Sequence, residues 1–233
     1  MKVLIGIQAR SGSTRLPRKA FEMISGRMML DRVIEACKSA AAYLEKGGHK
    51  AHVAVLTPFG DPIVDEFKNR VEIIQGDEQD VLGRYAVGMN LHRPDYLIRI
   101  TGDCPLIPPQ LITHLFQIAA NNGYDYISNS DERVRTSIDG ADCEVISARM
   151  FDHTEKMARK GYDREHVTPY MRREPPEWAK PGFAINSFDL SGIKLSVDTQ
   201  EDLERVRKHF ESQFGKYQEA VKIYGKRATH RLG

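Results

Sequence analysis

The residues best suited to chemistry stand in one short stretch, Gln8-Ala9-Arg10-Ser11-Gly12-Ser13-Thr14-Arg15-Leu16-Pro17-Arg18-Lys19, directly after an apolar run. It holds four cations, no anion, one glycine and three hydroxyl side chains. Backbone amides in such a turn, with guanidinium forks and an ammonium point charge, make a cradle for a polyphosphate. The competing reading is a solvated basic loop. One-sided charge next to a buried strand favours the cradle. Neither G-x-x-x-x-G-K-[ST] nor G-x-G-x-x-G occurs here, which takes support from P-loop and dinucleotide-binding readings.

Two carboxylates stand at comparable positions. Asp103 follows the apolar run of Tyr96-Leu97-Ile98-Arg99-Ile100-Thr101-Gly102, and Asp198 follows Ile193-Lys194-Leu195-Ser196-Val197. Facing a triphosphate, such a pair suits Mg²⁺, which takes oxygen ligands and keeps several waters. Each aspartate also has a structural reading, Asp103 as a turn residue before Pro105 and Asp198 as a helix N-cap. Further candidates are weaker. Strand alternation would put Asp142 and Glu144 on one face, although a solvated edge strand would read the same way. Asp163-Arg164-Glu165-His166 opens a helix, where acids also complement the dipole. The eight histidines show no metal-ligand spacing.

These residues need a scaffold, and the chain supplies an α/β pattern. Apolar runs at Val3 to Gln8, His52 to Leu56, Val71 to Ile74, Tyr96 to Ile100 and Tyr124 to Ser128 read as strands. Helical stretches lie between them, at about Met29 to Leu44, Asp61 to Asn69, Asp80 to Leu91 and Pro109 to Asn121. Strands rich in Val, Ile and Leu, separated by helices, predict an α/β, doubly wound, mostly parallel sheet covered on both faces. Ligands of such sheets sit at the carboxyl ends of the strands, where the basic loop and both aspartates fall. From Ser137 to Met150 the pattern is extended, and Asp163 to Trp178 mixes a helix with a Pro175-Pro176 turn. Residues about 137–180 therefore read as a small inserted antiparallel region on the acceptor side or at a subunit contact. A strand over Ile193 to Val197 and a helix over Thr199 to Phe210 follow. The tail from Phe214 to Gly233 is basic and reads as peripheral.

A length of 233 residues fits one domain, and 41% hydrophobic with 28% charged residues is ordinary for a globular protein. A net charge of +2 gives no reason to expect nucleic acid as a partner. Cys37, Cys104 and Cys143 are odd in number and form no C-x-x-C, so buried reduced thiols are expected. The first apolar run is too short for a signal peptide or membrane span, which predicts a cytoplasmic chain.

The blocks IQARSGSTRLPRK, QGDEQDVLGRY, RITGDCPLI, DCEVIS, REHVTPY and LSVDTQEDLERVR occur in this order between residues 3 and 207. In that order they resemble the spore-coat-polysaccharide-type cytidylyltransferases, relatives of CMP-KDO and CMP-sialate synthetases. The resemblance implies a Rossmann-like α/β nucleotidyltransferase fold, CTP as donor and a homodimer. It implies nucleotide binding by Ala9, Arg10, Ser11, Gly12, Ser13, Arg15, Lys19, Thr101 and Gly102, with Asp80 and Arg84 near base and ribose. Arg10, Lys19 and Asp103 would be catalytic, Asp103 and Asp198 would be metal ligands, and Asp142, Glu144, Arg164 and His166 would lie near the acceptor. There are departures. Arg18 stands where such loops usually have glycine, so a different loop backbone is expected there. Ser11 replaces a commoner methionine, and the segment from Ala40 to Lys50 is expanded.

The expected reaction is Mg²⁺-dependent transfer of CMP from CTP to a small anionic acceptor, a sugar acid, sugar or polyol phosphate, or phosphonate. Arg133, Arg135, Arg164 and Lys160 are available to hold that anion. Rival readings are another NTP as donor, a glycosyltransferase-like nucleotide-sugar enzyme of polysaccharide biosynthesis, and a catalytically dead nucleotide-binding protein. The joint presence of the basic loop and both aspartates disfavours the last.

Overall fold

A computed structural model describes residues 1–211 and the backbone of 229–231. The chain starts with β1 (Lys2–Gln8), buried on both faces as a central parallel strand must be. After the basic loop come a single 3-10 turn at Lys19–Phe21, a hairpin of β2 (Met23–Ile24) and β3 (Arg27–Met28), and the helix α1 (Met29–Lys46). Next are β4 (Lys50–Pro58), α2 (Ile63–Phe67), β5 (Glu72–Gly76), α3 (Val81–His92), β6 (Tyr96–Thr101) and α4 (Pro109–Asn122). The second half contributes β7 (Tyr126–Ser128), β8 (Cys143–Ser147), α5 (Ala148–Met157), α6 (Gly161–His166), α7 (Pro169–Arg173) and β9 (Pro181–Ile185). A helix over 200–211, α8, and the short β10 (Thr229–Arg231) follow. The tail expected to be peripheral lies mainly outside the described residues.

The main sheet runs β10-β9-β7-β8-β6-β1-β4-β5. Strand β1 pairs in parallel with β4 and β6, β4 with β5, and β7 with β9. Helices α1 and α4 cover one face over a core that includes Ile5, Leu30, Ile34 and Phe116. On the other face α3, α5 and α7 bury Leu4, Tyr85, Met150 and Met171. This is the doubly wound, mostly parallel arrangement expected. A third apolar cluster joins Leu16, Met29, Leu106, Leu195, Val197 and Leu203, residues adjoining the basic loop and both candidate aspartates. Among the described residues no helix is long and apolar enough to cross a membrane. All three cysteines are buried and unbridged, and burial pushes their thiols up.

The antiparallel element within 137–180 is β8, threaded between β6 and β7 in the main sheet. The strand is shorter than the extended pattern suggested, because the Ser147 hydroxyl caps α5 by accepting from Met150 N. Asp142 thus precedes the strand, so Asp142 and Glu144 do not share a strand face. Nor is Glu144 on a solvated edge. It lies opposite Arg99 of β6, pairs with that guanidinium and accepts from Tyr126 Oη. Burial pushes the Glu144 carboxyl up, but the charges of Arg99 and Arg172 and hydrogen bonds from Tyr126 and Thr168 bring it below its ordinary value.

The strand expected over Ile193 to Val197 is absent, replaced by an isolated bridge between Asp139 and Lys194. Leu195 N and Ser196 N both donate to Asp139 O, which ends any ladder. The chains approach closely at Gly140, where a Cβ would sit 2.3 Å from Ser196 N. The helix expected from Asp61 is also shorter. The Asp61 carboxylate accepts from Ile63 N, and α2 covers Ile63–Phe67 only.

Removing one partner of a buried ion pair leaves the other charge uncompensated. Glu144→Ala should therefore cost about 3–5 kcal/mol, read as a lower denaturant midpoint, while Arg99→Met with Glu144→Leu should cost less than the single change.

Candidate active site

Three chain segments meet at the carboxyl edge of the sheet. Strand β1 delivers the basic loop, β6 delivers Thr101-Gly102-Asp103, and the approach to α8 delivers Val197-Asp198. Gly102 N donates to Gln8 O at 2.9 Å, tying the first two. A Cβ on residue 102 would lie 2.9 Å from Ala9 Cβ and 3.1 Å from Gln8 O, so the approach requires glycine. Val197 N donates to Asp103 O at 2.9 Å, tying in the third.

At the junction stands Lys19. Its ammonium donates to Val197 O at 2.8 Å, to Asp198 Oδ1 at 3.1 Å and to Asp103 Oδ2 at 3.3 Å. An ammonium has three N–H donors, and each finds a partner here. Arg15 adds an ion pair to Asp198 Oδ1 at 2.9 Å, and Lys194 lies 4.0 Å from Asp198 Oδ2. Burial pushes the Asp103 carboxyl up, but the Lys19 charge and hydrogen bonds from Thr101 and Lys19 hold it below the ordinary carboxylate value.

Asp198 is not the N-cap of α8. Thr199 Oγ1 accepts from Asp202 N at 3.3 Å, while Asp202 Oδ2 accepts from Asp198 N and Thr199 N, both at 3.1 Å. This reciprocal capping leaves the Asp198 carboxylate to the cleft. The Thr199-x-x-Asp202 spacing was readable as a cap, with aspartate in place of the usual glutamate. Lys194 and Arg205 secure Asp202, each at 2.7 Å.

The loop is held from behind by Asp61, a residue the sequence did not mark. Its Oδ2 accepts from Ser11 N at 2.8 Å and from Ser11 Oγ at 3.1 Å. Ser11 O in turn accepts from Ser13 N and Arg18 N. Arg18 has φ 58° and ψ 26°, the left-handed conformation that glycine takes without steric cost. A different loop backbone was expected at this departure. Arg18 instead adopts the glycine-like conformation, with its guanidinium 4.8 Å over the Phe21 ring.

A cleft of about 310 Å³ lies over this junction. Ala9, Arg10, Ser13, Arg15, Lys19, Arg84, Thr101, Gly102, Asp103, His166 and Asp198 all line it, so the fold gathers most of the expected residues. Ser11 and Gly12 belong to the loop but do not line the cleft. Arg84 is 3% exposed, and its Nε and Nη1 have no hydrogen-bond partner among the described residues. Burial lowers its guanidinium pKa, with Arg10 adding to the shift. Gln8, Glu78 and Glu165 also line the cleft, although the sequence assigned none of them a role. Arg99 Nε fixes the Gln8 side chain by donating to its Oε1 at 3.0 Å, and Arg10 meets Glu78 at 3.3 Å.

Four expected residues stand elsewhere. Asp80 caps α3 by accepting from Gly83 N at 2.8 Å, and it binds Arg164 through two parallel hydrogen bonds of 2.8 and 2.7 Å. Neither Asp80 nor Arg164 lines the cleft, and each is engaged by the other. Their pair pins α6 against α3, which brings Glu165 and His166 over the cleft. Immediately after His166, Val167 has φ 71°, in a three-residue turn closed by Thr168 N donating to His166 O. Glu144 is occupied by Arg99, and Asp142 by Arg135. Burial pushes the Asp142 carboxyl up to about 6, against the pull of Arg135 and with a push from Asp139. Arg133 pairs with Asp131, so three of the four cations expected at the acceptor are taken up within the chain.

No group of three or more His, Cys, Asp or Glu side chains suited to a metal occurs among the described residues. Asp103 and Asp198 nevertheless converge on one cation, the Lys19 ammonium. Two carboxylates opening on a cleft fit Mg²⁺, whose remaining ligands come from phosphates and water.

A cytidylyltransferase family model matches residues 4–230. The chain is 29% identical to the spore coat polysaccharide biosynthesis protein SpsF of Bacillus subtilis, over 88% of this chain and 85% of that one. A cytidylyltransferase structure from Leptospira borgpetersenii superposes with a TM-score of 0.82 at 30% identity, covering 97% of this chain and 94% of that one. A structure of CMP:2-keto-3-deoxy-manno-octonic acid synthetase complexed with CTP shares the fold, with a TM-score of 0.67 at 19% identity over 91% and 99% of the two chains.

Asp61 shapes the loop from outside the cleft. Asp61→Ala should weaken triphosphate binding about ten-fold by calorimetry, the scale of a lost charge-assisted hydrogen bond. Unchanged affinity would show that the loop holds itself. Arg18→Gly should keep or raise thermal stability, whereas Arg18→Val should lose about 1–2 kcal/mol.

Proposed function

The chain belongs to the cytidylyltransferase family, and on that premise we propose that it transfers CMP from CTP to a small anionic acceptor, releasing pyrophosphate. One observation carries the reading: a loop of cations and two carboxylates meet in one cleft, at Lys19. The CTP bound in the structurally similar synthetase supports cytidine as the donor base. Arg84, buried with unpaired donors, is suited to acceptor atoms on the donor nucleotide.

In the reaction an acceptor oxygen attacks the α-phosphorus of CTP in line, the bond to the β-phosphate oxygen breaks, and pyrophosphate leaves. Arg10, Arg15 and Lys19 hold the phosphates, and Arg10 and Lys19 stabilise the charge on the leaving group. Ser13 and the amides of the loop complete the cradle. Asp103 and Asp198 would hold Mg²⁺, which supplies positive charge to offset that gathering on the α-phosphate. A phosphate or phosphonate oxygen attacks already ionised and needs no base, so positioning and electrostatics provide most of the rate, whereas the hydroxyl of a sugar acid must give up its proton to a base as it attacks. His166, held over the cleft by the Asp80–Arg164 pair, faces the incoming acceptor. The named role of SpsF in polysaccharide biosynthesis favours a sugar acid or a sugar or polyol phosphate. A homodimer in the cytoplasm belongs to the same reading.

Pyrophosphate release from CTP, UTP, ATP and GTP, each with matched anionic and neutral acceptors, tests the proposal. CTP with an anionic acceptor should be preferred. Preference for UTP or GTP would overturn the donor, and efficient use of neutral acceptors would overturn the acceptor class. Turnover only with a nucleotide-sugar would favour the glycosyltransferase-like reading. Asp103→Asn should lower turnover about 10²-fold or more with the fold intact.

A further inference from the structure

We propose that Lys19 is the resident counter-ion of Asp103 and Asp198 and competes with the divalent cation for them, so that metal enters only once a triphosphate draws Lys19 away. This rests on the metal and triphosphate reading above. The Lys19 side chain is 16% exposed, and its three N–H donors are spent on Asp103, Asp198 and Val197 O. A metal ion bridging Asp103 Oδ2 and Asp198 Oδ1 at Mg–O distances of about 2 Å would need the space that this ammonium fills. Like charges cannot share it.

Charge counting points the same way. Two carboxylates face Lys19 and Arg15 in direct ion pairs, with Lys194 at 4.0 Å, so the acids are already compensated before any metal arrives. A bare divalent ion therefore meets a site with little net attraction. A triphosphate changes this in two ways. It offers its own oxygens to the metal, and it competes for Lys19 and Arg15, both of which line the cleft. The flexible four-carbon stem lets the Lys19 ammonium turn toward the phosphates while its backbone stays tied to Leu16 O. By linkage, triphosphate and metal each raise the affinity for the other.

The probe is Mn²⁺, followed by the electron paramagnetic resonance signal of the free ion, with the full chain and no nucleotide. Lys19→Met should bind Mn²⁺ about ten-fold or more tighter than wild type, a typical size for a coupling between sites. Lys19→Arg, which keeps the charge, should stay near wild type. Adding Asp103→Asn to Lys19→Met should abolish the gain. Circular dichroism checks folding, and Lys19→Gln replaces the methionine variant if that fails to fold. Equal, tight binding by wild type and Lys19→Met would overturn the competition while leaving the metal assignment standing. Absence of binding to either, or a gain that survives Asp103→Asn, would overturn the competition and remove Asp103 as a ligand. CTP-dependent pyrophosphate release, measured separately, would still report on the transferase reading.

Discussion

Four cations between Arg10 and Lys19 repel one another, and a tight turn carrying them needs compensation from elsewhere. The architecture around the cleft answers that requirement. Asp103 comes from the turn after β6, Asp198 from the approach to α8, and Glu78 from the loop after β5. Asp61 works differently, binding the loop's backbone and the Ser11 hydroxyl instead of a cation. Beneath these charges the apolar cluster of Leu16, Leu106 and Val197 sets the segments at fixed separation. Asp103 and Asp198 therefore stand close together, each in direct contact with a cation of the loop.

Much of this was legible in the sequence, for a physical reason. A parallel sheet buried on both faces writes itself as continuous apolar runs, and its ligands must lie past the strand ends, so Arg10, Lys19 and Asp103 could be placed from pattern alone. Asp198 was ambiguous because a carboxylate at a helix start looks the same whether it caps or faces outward. Its cap turned out to be Thr199 with Asp202. What the sequence hid were partnerships across long separations. Asp80 and Arg164, 84 positions apart, find each other away from the cleft lining, whereas the sequence set one beside the base and ribose and the other beside the acceptor. Asp61 lay in a stretch read only as a helix start. Strand alternation misplaced Asp142 because it could not foresee where β8 begins.

Glu144 shows how a site-like signal can arise from the scaffold. Its acidic neighbourhood resembled an acceptor contact, yet it neutralises Arg99 inside the sheet. The link to the cleft is indirect, since the same guanidinium orients Gln8, which lines the cleft. A buried ion pair costs desolvation and is weak evidence for stability by itself. Here its second output is a fixed amide at the cleft wall.

Strand β1 is the first element of the chain and the middle of the sheet, and its partners begin near residues 50 and 96. Lys19 meets Asp198 across 179 positions. A chain emerging from the ribosome thus carries an apolar strand with two open edges until β4 has been made and one until β6 follows, and its charge cluster closes only once Asp198 has been added. A chain that stops short of Asp198 would hold the positive loop with Glu78 and Asp103 alone, leaving Arg15 without its acid. The arrival of Asp198 supplies both the missing charge and one wall of the cleft.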